Sequence, residues 1–140
     1  MIIGIDFDGT CVTHEFPYIG NEIGAGPVLK KLVDNNHKLI LFTMRSDIVD
    51  PRSENPAITL QPGDYLSEAV KWFEKKGIPL YGVNVNPTQH TWTKSPKAYC
   101  ELYIDDAALG IPLKHDIAFS SRPFVDWEKV SFMLMQKRLI

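Results

Sequence analysis

The chain opens on "MIIGIDFDGT", with no basic stretch leading into a long apolar segment, and nowhere do about eighteen apolar residues run together. Export and membrane spanning therefore lack support, and a cytoplasmic protein with no membrane partner is expected. Cysteine is scarce: Cys11 and Cys100 are the two present, lacking metal-site spacing and too few to staple a secreted framework. Both are expected to be reduced. A basic excess is missing too, since the formal net charge is −2, which offers no positive field to nucleic acid or an anionic membrane. Nucleic acid is not indicated as a partner. Internal repeats and low-complexity tracts are also absent. What remains is a chain of 140 residues, 44% hydrophobic and 11% aromatic, which suits one ordinary domain over 1–140.

Hydrophobic periodicity alternates short apolar runs with amphipathic stretches. "IIGID" (2–6) and "KLILFT" (38–43) are continuous apolar runs, as expected of strands covered on both faces. Between them, "AGPVLKKLVDNN" from Ala25 reads as a helix with Pro27 in its first turn and Val28, Leu29, Leu32 and Val33 on one stripe. A second helix is expected over 64–77, with Asp64 as N-cap, Leu66, Ala69, Val70 and Phe73 facing inward, and Gly77 as the stop. "PLYGVNV" (79–85) and "ELYID" (101–105) read as strands, "DIAFSS" (116–121) as a weaker one, and "DWEKVSFMLMQKRL" (126–139) as a closing helix. This alternation predicts a three-layer α/β/α, Rossmann-like doubly wound parallel sheet, whose site lies beyond the carboxyl ends of its strands.

Those ends carry the chemistry. The first strand delivers Asp6 and Asp8, the second Thr43, and the fourth Asp105 and Asp106, with Lys97 a short step upstream. Carboxylates crowded together repel, so a cation is expected among them. All-oxygen ligands point to a hard one, with Mg²⁺ the expected cofactor and Asp6, Asp8, Asp105 and Asp106 the metal candidates. Phe7 can point back into the fold, while Gly9 lets the backbone turn and leaves amides available for an anion such as phosphate.

"DFDGT" (6–10), "LFTMRS" (41–46) and "SPKAYCELYIDD" (95–106) occur in the order, and at the strand ends, seen in the haloacid dehalogenase (HAD) superfamily, which the chain resembles over residues 6–106. The resemblance implies a phosphatase acting through an aspartyl-phosphate. Asp6 would be the nucleophile and Asp8 the general acid and base. Thr43 would hold a phosphoryl oxygen, and Lys97 would offset the charge on nucleophile and phosphate. Asp106 would be a direct Mg²⁺ ligand beside a carboxylate oxygen of Asp6 and the backbone carbonyl of Asp8, with Asp105 holding Lys97 and metal-bound water. In this superfamily an acidic residue at the position of Asp8 marks phosphatases rather than dehalogenases. Gly9, Thr10, Thr43, Met44 and Arg45 are the candidate substrate contacts.

Competing readings attach to several of these residues. Thr43 can simply end a strand, Lys94 rivals Lys97, and Arg45 can be a surface arginine. His14, His37, His90 and His115 are scattered without metal spacing and read as structural or exposed, and Trp92 and Tyr18 as packing residues. Residues 9–24 and 86–96 are too few for a cap domain, so the enzyme is expected to be capless. Its site would admit a phosphorylated small molecule or macromolecule, or take a lid from another copy in a homo-oligomer. The polar stretch 47–64 reads as a functional loop. Two other classes compete: a receiver-like phospho-accepting signalling domain, disfavoured because "LYGVNVN" ends in Asn84 and Asn86 where an aspartate would be needed, and a non-catalytic phosphate- or metal-binding module.

Overall fold

The computed structural model describes residues 1–50 and 61–140. Part of the 47–64 loop, residues 51–60, lies outside the described residues. In chain order the elements are β1 (Ile2–Ile5), α1 (Ala25–Asp34), β2 (Lys38–Leu41), α2 (Tyr65–Lys75), β3 (Leu80–Val83), β4 (Leu102–Ile104), β5 (Leu113–Lys114), β6 (Phe124–Val125) and α3 (Trp127–Gln136). The first four strands form one parallel sheet in the order β3-β2-β1-β4. Its strand order and flanking helices make the Rossmann-like α/β/α fold expected from the alternating pattern. No helix among the described residues is long and apolar enough to cross a membrane.

The two faces of the sheet are covered differently. Ile3, Ile5, Leu39, Leu41 and Ile104 join one buried cluster with Leu29 and Leu32 of α1, Ala69 and Phe73 of α2, and Val130 and Leu134 of α3. Because side chains alternate along a strand, Gly4 and Tyr103 lie on the other face. There the β3–β4 crossover, carrying one turn of 3₁₀ helix at Gln89–Thr91, forms the cover. A Cβ at Gly4 would lie 2.8 Å from the Tyr103 ring and 3.1 Å from the Cys100 sulfur, so glycine lets this thin layer settle against the strand. Gln89 organises the crossover, donating to the carbonyls of Ser95 (2.8 Å) and Lys97 (2.7 Å) and accepting from the Tyr99 amide (2.7 Å).

Three expectations are corrected. "DIAFSS" forms no strand: the Phe119 and Ser120 amides both donate to the Asp116 carbonyl and the Ala118 amide to its side chain, closing a turn. The ladder in this region lies on either side of it, pairing Leu113 with Val125 and Lys114 with Phe124. Asp64 precedes α2 without a side-chain cap. Asp47 caps the helix instead, one oxygen accepting from the Leu66 and Ser67 amides at 2.9 Å each and the other from the Ser67 hydroxyl at 2.5 Å. Both Asp47 and Asp64 flank a loop whose ends are tied by the Ile48–Gly63 bridge, so closure of the loop brings the earlier aspartate to the helix. The closing helix is shorter than 126–139, ending at Gln136 before Arg138 takes a positive φ of 58°.

α3 also supports the loop that follows β1. Asp126 caps it through the Lys129 amide, and buried Trp127 donates its indole N–H to the Thr10 carbonyl at 2.6 Å. Trp127→Phe would keep most of the apolar contact and orphan that carbonyl, a cost of about 1–3 kcal/mol. Urea unfolding is expected to show this loss, and an unchanged midpoint would contradict the support assigned to Trp127.

Candidate active site

The sheet pairing fixes the site. Ile5 is in register with Ile104, and the Asp6 amide continues the ladder by donating to the Ile104 carbonyl at 3.0 Å. The carboxylates immediately beyond β1 and β4 therefore meet: oxygens of Asp6, Asp105 and Asp106 lie within 4.8 Å of one another. Asp6 shares a sheet face with Gly4, Tyr103 and Asp105 by alternation.

Beyond Asp6 the chain folds back on itself. Phe7 is fully buried, its ring 5.7 Å from that of Trp72 and 6.2 Å from that of Phe73, which confirms that it points back into the fold. The amides of Thr10, Cys11 and Val12 all donate to the Phe7 carbonyl, and the Gly9 amide donates to the Val12 carbonyl. The Gly9 and Thr10 amides, expected to be available for phosphate, are thus used within the loop. Gly9 has φ +84°, and a Cβ there would lie 2.1 Å from His14 Nε2 and 2.8 Å from Asp106 Oδ2. Glycine is required both for the turn and for the close approach of those two side chains.

Asp6 is the electrostatic oddity. Burial pushes its carboxyl up to about 7, and the charges of Asp105 and Asp106 act in the same direction, against the Phe7 amide and the Thr10 hydroxyl. That hydroxyl donates to Asp6 Oδ2 at 3.0 Å and accepts from the Asp106 amide at 2.9 Å, so Thr10 bridges the β1 and β4 ends. Cys11 donates its thiol to the Asp6 carbonyl, and burial pushes that thiol well above its ordinary value. It stays a thiol. Neither Cys11 nor Cys100 is in a disulfide.

The remaining predicted residues divide into those that converge and those that do not. Asp8, expected among the metal carboxylates, does not join the group of three: its carboxylate is gripped by Arg45, Nε to Oδ2 and Nη2 to Oδ1, both at 2.7 Å. Arg45 is 3% exposed, which corrects the surface reading. Thr43 accepts from the Arg45 amide at 3.2 Å and donates its own amide to Asn84 Oδ1 at 2.8 Å. Met44 is almost wholly exposed. Asp105 accepts from the Ala107 amide at 2.8 Å, and Asp105 and Lys97 form no ion pair among the described residues. Lys97 is exposed, its ammonium 5.7 Å from the Tyr103 ring centroid, on the sheet face that carries Asp6 and Asp105 and one strand repeat back from them, about 6.6 Å. Lys94 is also exposed.

Two residues carry no site role in the sequence, where His14 reads as structural or exposed. His14 Nε2 lies 2.9 Å from Asp106 Oδ2, so this histidine belongs to the site. Nothing in its spacing signals this, although it follows the "DFDGT" motif on a loop that must cross the same strand end. Asn84, with φ +55°, holds the Thr43 amide; the structural duty comes from the backbone turn after β3, which short polar side chains tolerate.

The donor set fits a hard divalent cation. Three part-buried carboxylates converge, one of them with a raised affinity for a proton, and oxygen-only donors are what Mg²⁺ prefers.

No protein-family model and no curated protein matches the chain. A solved structure of a conserved protein from Bacteroides thetaiotaomicron is similar to it, with 33% sequence identity, a TM-score of 0.70, and coverage of 98% of this chain and 91% of that one.

The raised value at Asp6 has a sign that can be measured. An unfolded aspartate titrates near 3.9, so between about pH 4 and 7 the folded protein holds a proton that the unfolded chain has released. The contribution of this group is fully present below about pH 4 and lost as pH rises through 7. Asp6→Asn removes the buried charge and should stabilise the metal-free protein at pH 8 on the order of 3 kcal/mol, with little effect at pH 4. Equal melting shifts at both pH values would contradict this environment for Asp6.

Proposed function

The chain belongs to the same family as the conserved Bacteroides thetaiotaomicron protein, and from its site we propose that it is a HAD-type, Mg²⁺-dependent phosphatase that hydrolyses phosphomonoesters through an aspartyl-phosphate. The observation that carries the reading is the meeting of Asp6, Asp105 and Asp106 at the carboxyl edge of a parallel sheet.

In the first half-reaction the ionised Asp6 carboxylate attacks phosphorus in line, forming the acyl-phosphate bond as the bond to the leaving oxygen breaks. Asp8 must enter this step protonated, with one oxygen released from Arg45, and gives the leaving oxygen that proton, so the product leaves as an alcohol. In the second, water attacks the same phosphorus while Asp8 takes its proton, freeing inorganic phosphate and restoring Asp6. Asp6, Asp105 and Asp106 would hold Mg²⁺, which supplies positive charge that keeps Asp6 ionised and neutralises the phosphoryl oxygens. Thr43 stands at the end of β2, where its hydroxyl can serve a phosphoryl oxygen. Lys97, against the Tyr103 ring on the same sheet face, is the lysine that would add a cation at the strand ends, its stem being long and flexible.

The receiver-like alternative is less well supported. β3, the strand that would bear the phospho-accepting group, lies at the sheet edge and ends in Asn84, whose carbonyl is committed to Thr43. The order β3-β2-β1-β4 also differs from the 2-1-3-4-5 order of flavodoxin-like domains. Substrates small or macromolecular remain compatible with this edge, as does a lid from a second copy.

With p-nitrophenyl phosphate, hydrolysis is expected in Mg²⁺ and its loss in EDTA. Asp6→Asn, isosteric and not nucleophilic, should cost at least about a hundredfold in kcat, some 2.7 kcal/mol of barrier. Equal rates in Mg²⁺ and EDTA, or a tenth of wild-type activity in the variant, would overturn the reading.

A further inference from the structure

Arg45 was a candidate substrate contact, yet its surroundings leave it little to offer a substrate. An arginine has five N–H donors, and here each has a partner inside the protein. Nε donates to Asp8 Oδ2 and Nη2 to Asp8 Oδ1; Nη2 also donates to the Tyr18 carbonyl at 2.7 Å, and Nη1 to the carbonyls of Pro17 at 3.3 Å and Tyr65 at 3.4 Å. Its guanidinium carbon lies 5.1 Å from the Phe7 ring centroid and 5.2 Å from that of Phe16, so aromatic rings as well as acceptors fix it. A buried guanidinium is costly unless every donor is satisfied, and a phosphoryl oxygen could reach one only by displacing an internal partner.

Pro17 and Tyr18 belong to a flap formed by residues 13–21. Its base is tied by the Val12–Glu22 bridge, by the Thr13 amide donating to the Asn21 carbonyl, and by the Asn21 amide donating to the Thr13 hydroxyl. The flap tip itself is held by Arg45. We infer that Arg45 is a positioning residue that clamps Asp8 to this flap and to the first turn of α2, so that it sets the direction of the acid–base carboxylate and does not bind the phosphoryl group. This rests on the phosphatase reading for its chemical consequence, though the clamp can be tested without it. Lysine could keep the charge at position 45 but not the fork.

The chemical test compares wild type and Arg45→Lys on phenyl phosphate and p-nitrophenyl phosphate in Mg²⁺. Phenolate is the poorer leaving group and depends more on the proton from Asp8. Loss of a well-placed general acid is a large effect, so kcat/KM is expected to fall about tenfold more for phenyl phosphate, with inhibition by inorganic phosphate unchanged within about twofold. Equal losses on both substrates together with a weakening of phosphate inhibition by about tenfold would overturn the inference and make Arg45 a phosphate ligand. Phe16→Leu, which removes one ring over the guanidinium and keeps its donors, should show the same leaving-group bias more weakly, and it replaces Arg45→Lys if that variant does not fold. The second arm is amide hydrogen exchange. Residues 13–21 should exchange faster in both Arg45→Lys and Asp8→Asn while α1 is unaffected, and an Asp8→Asn flap as protected as wild type would overturn the clamp. A wild type inactive on both esters would refute the phosphatase reading and leave the exchange result to decide the clamp.

Discussion

Three carboxylates held together against their mutual repulsion are the constraint around which this fold is arranged. Parallel pairing of β1 with β4, continued by the Asp6 amide to the Ile104 carbonyl, brings Asp6 against Asp105 and Asp106. The buried cluster of Ile3, Ile5, Leu39 and Leu41 against three helices holds the strands that deliver them. Apolar burial is non-directional and large; it can hold an electrostatically unfavourable edge in place because the two occupy different ends of the same strands.

The loops then divide the charge. Arg45 takes Asp8, His14 takes one oxygen of Asp106, and Thr10 bridges Asp6 to the Asp106 amide. No cation is paired with Asp6 among the described residues, and burial leaves its carboxyl near 7. A carboxylate in such a place is partly shielded from water and short of positive charge. That shortage joins the geometry to the chemistry proposed: a cation beside Asp6 would keep it ionised and able to attack, whereas a proton would silence it.

Much of this was legible in the sequence, for reasons that particular residues make plain. β1 and β2 are runs of apolar residues buried on both faces, and α1 and α2 carry stripes at helical spacing, so each declares itself within a few residues. The strand-end rule then located Asp6, Asp105 and Asp106 without any knowledge of the register, though it also included Asp8, whose carboxylate turns to Arg45 instead. What stayed hidden depends on contacts remote in sequence. "DIAFSS" has strand-like residues, but Ile117 is exposed and Asp116 closes a turn, so local chemistry overrode pattern. Asp47 reaches the α2 terminus only through the closure of a long loop, and the pairings of His14 with Asp106 and of Arg45 with Asp8 span separations of 92 and 37 residues. No local period encodes such partners.

The claim that Asp6, Asp105 and Asp106 form one cation site is tested most directly by thermal unfolding across a Mg²⁺ titration at constant ionic strength, with wild type compared to the Asp105→Asn, Asp106→Asn double variant. A ligand bound only by the folded state stabilises it by about 2.7 kcal/mol at a hundred times its dissociation constant, which in a domain of this size raises Tm by several degrees. The account predicts that rise in wild type and a flat response in the double variant. A wild-type Tm indifferent to Mg²⁺, or a double variant that responds as strongly, would contradict it.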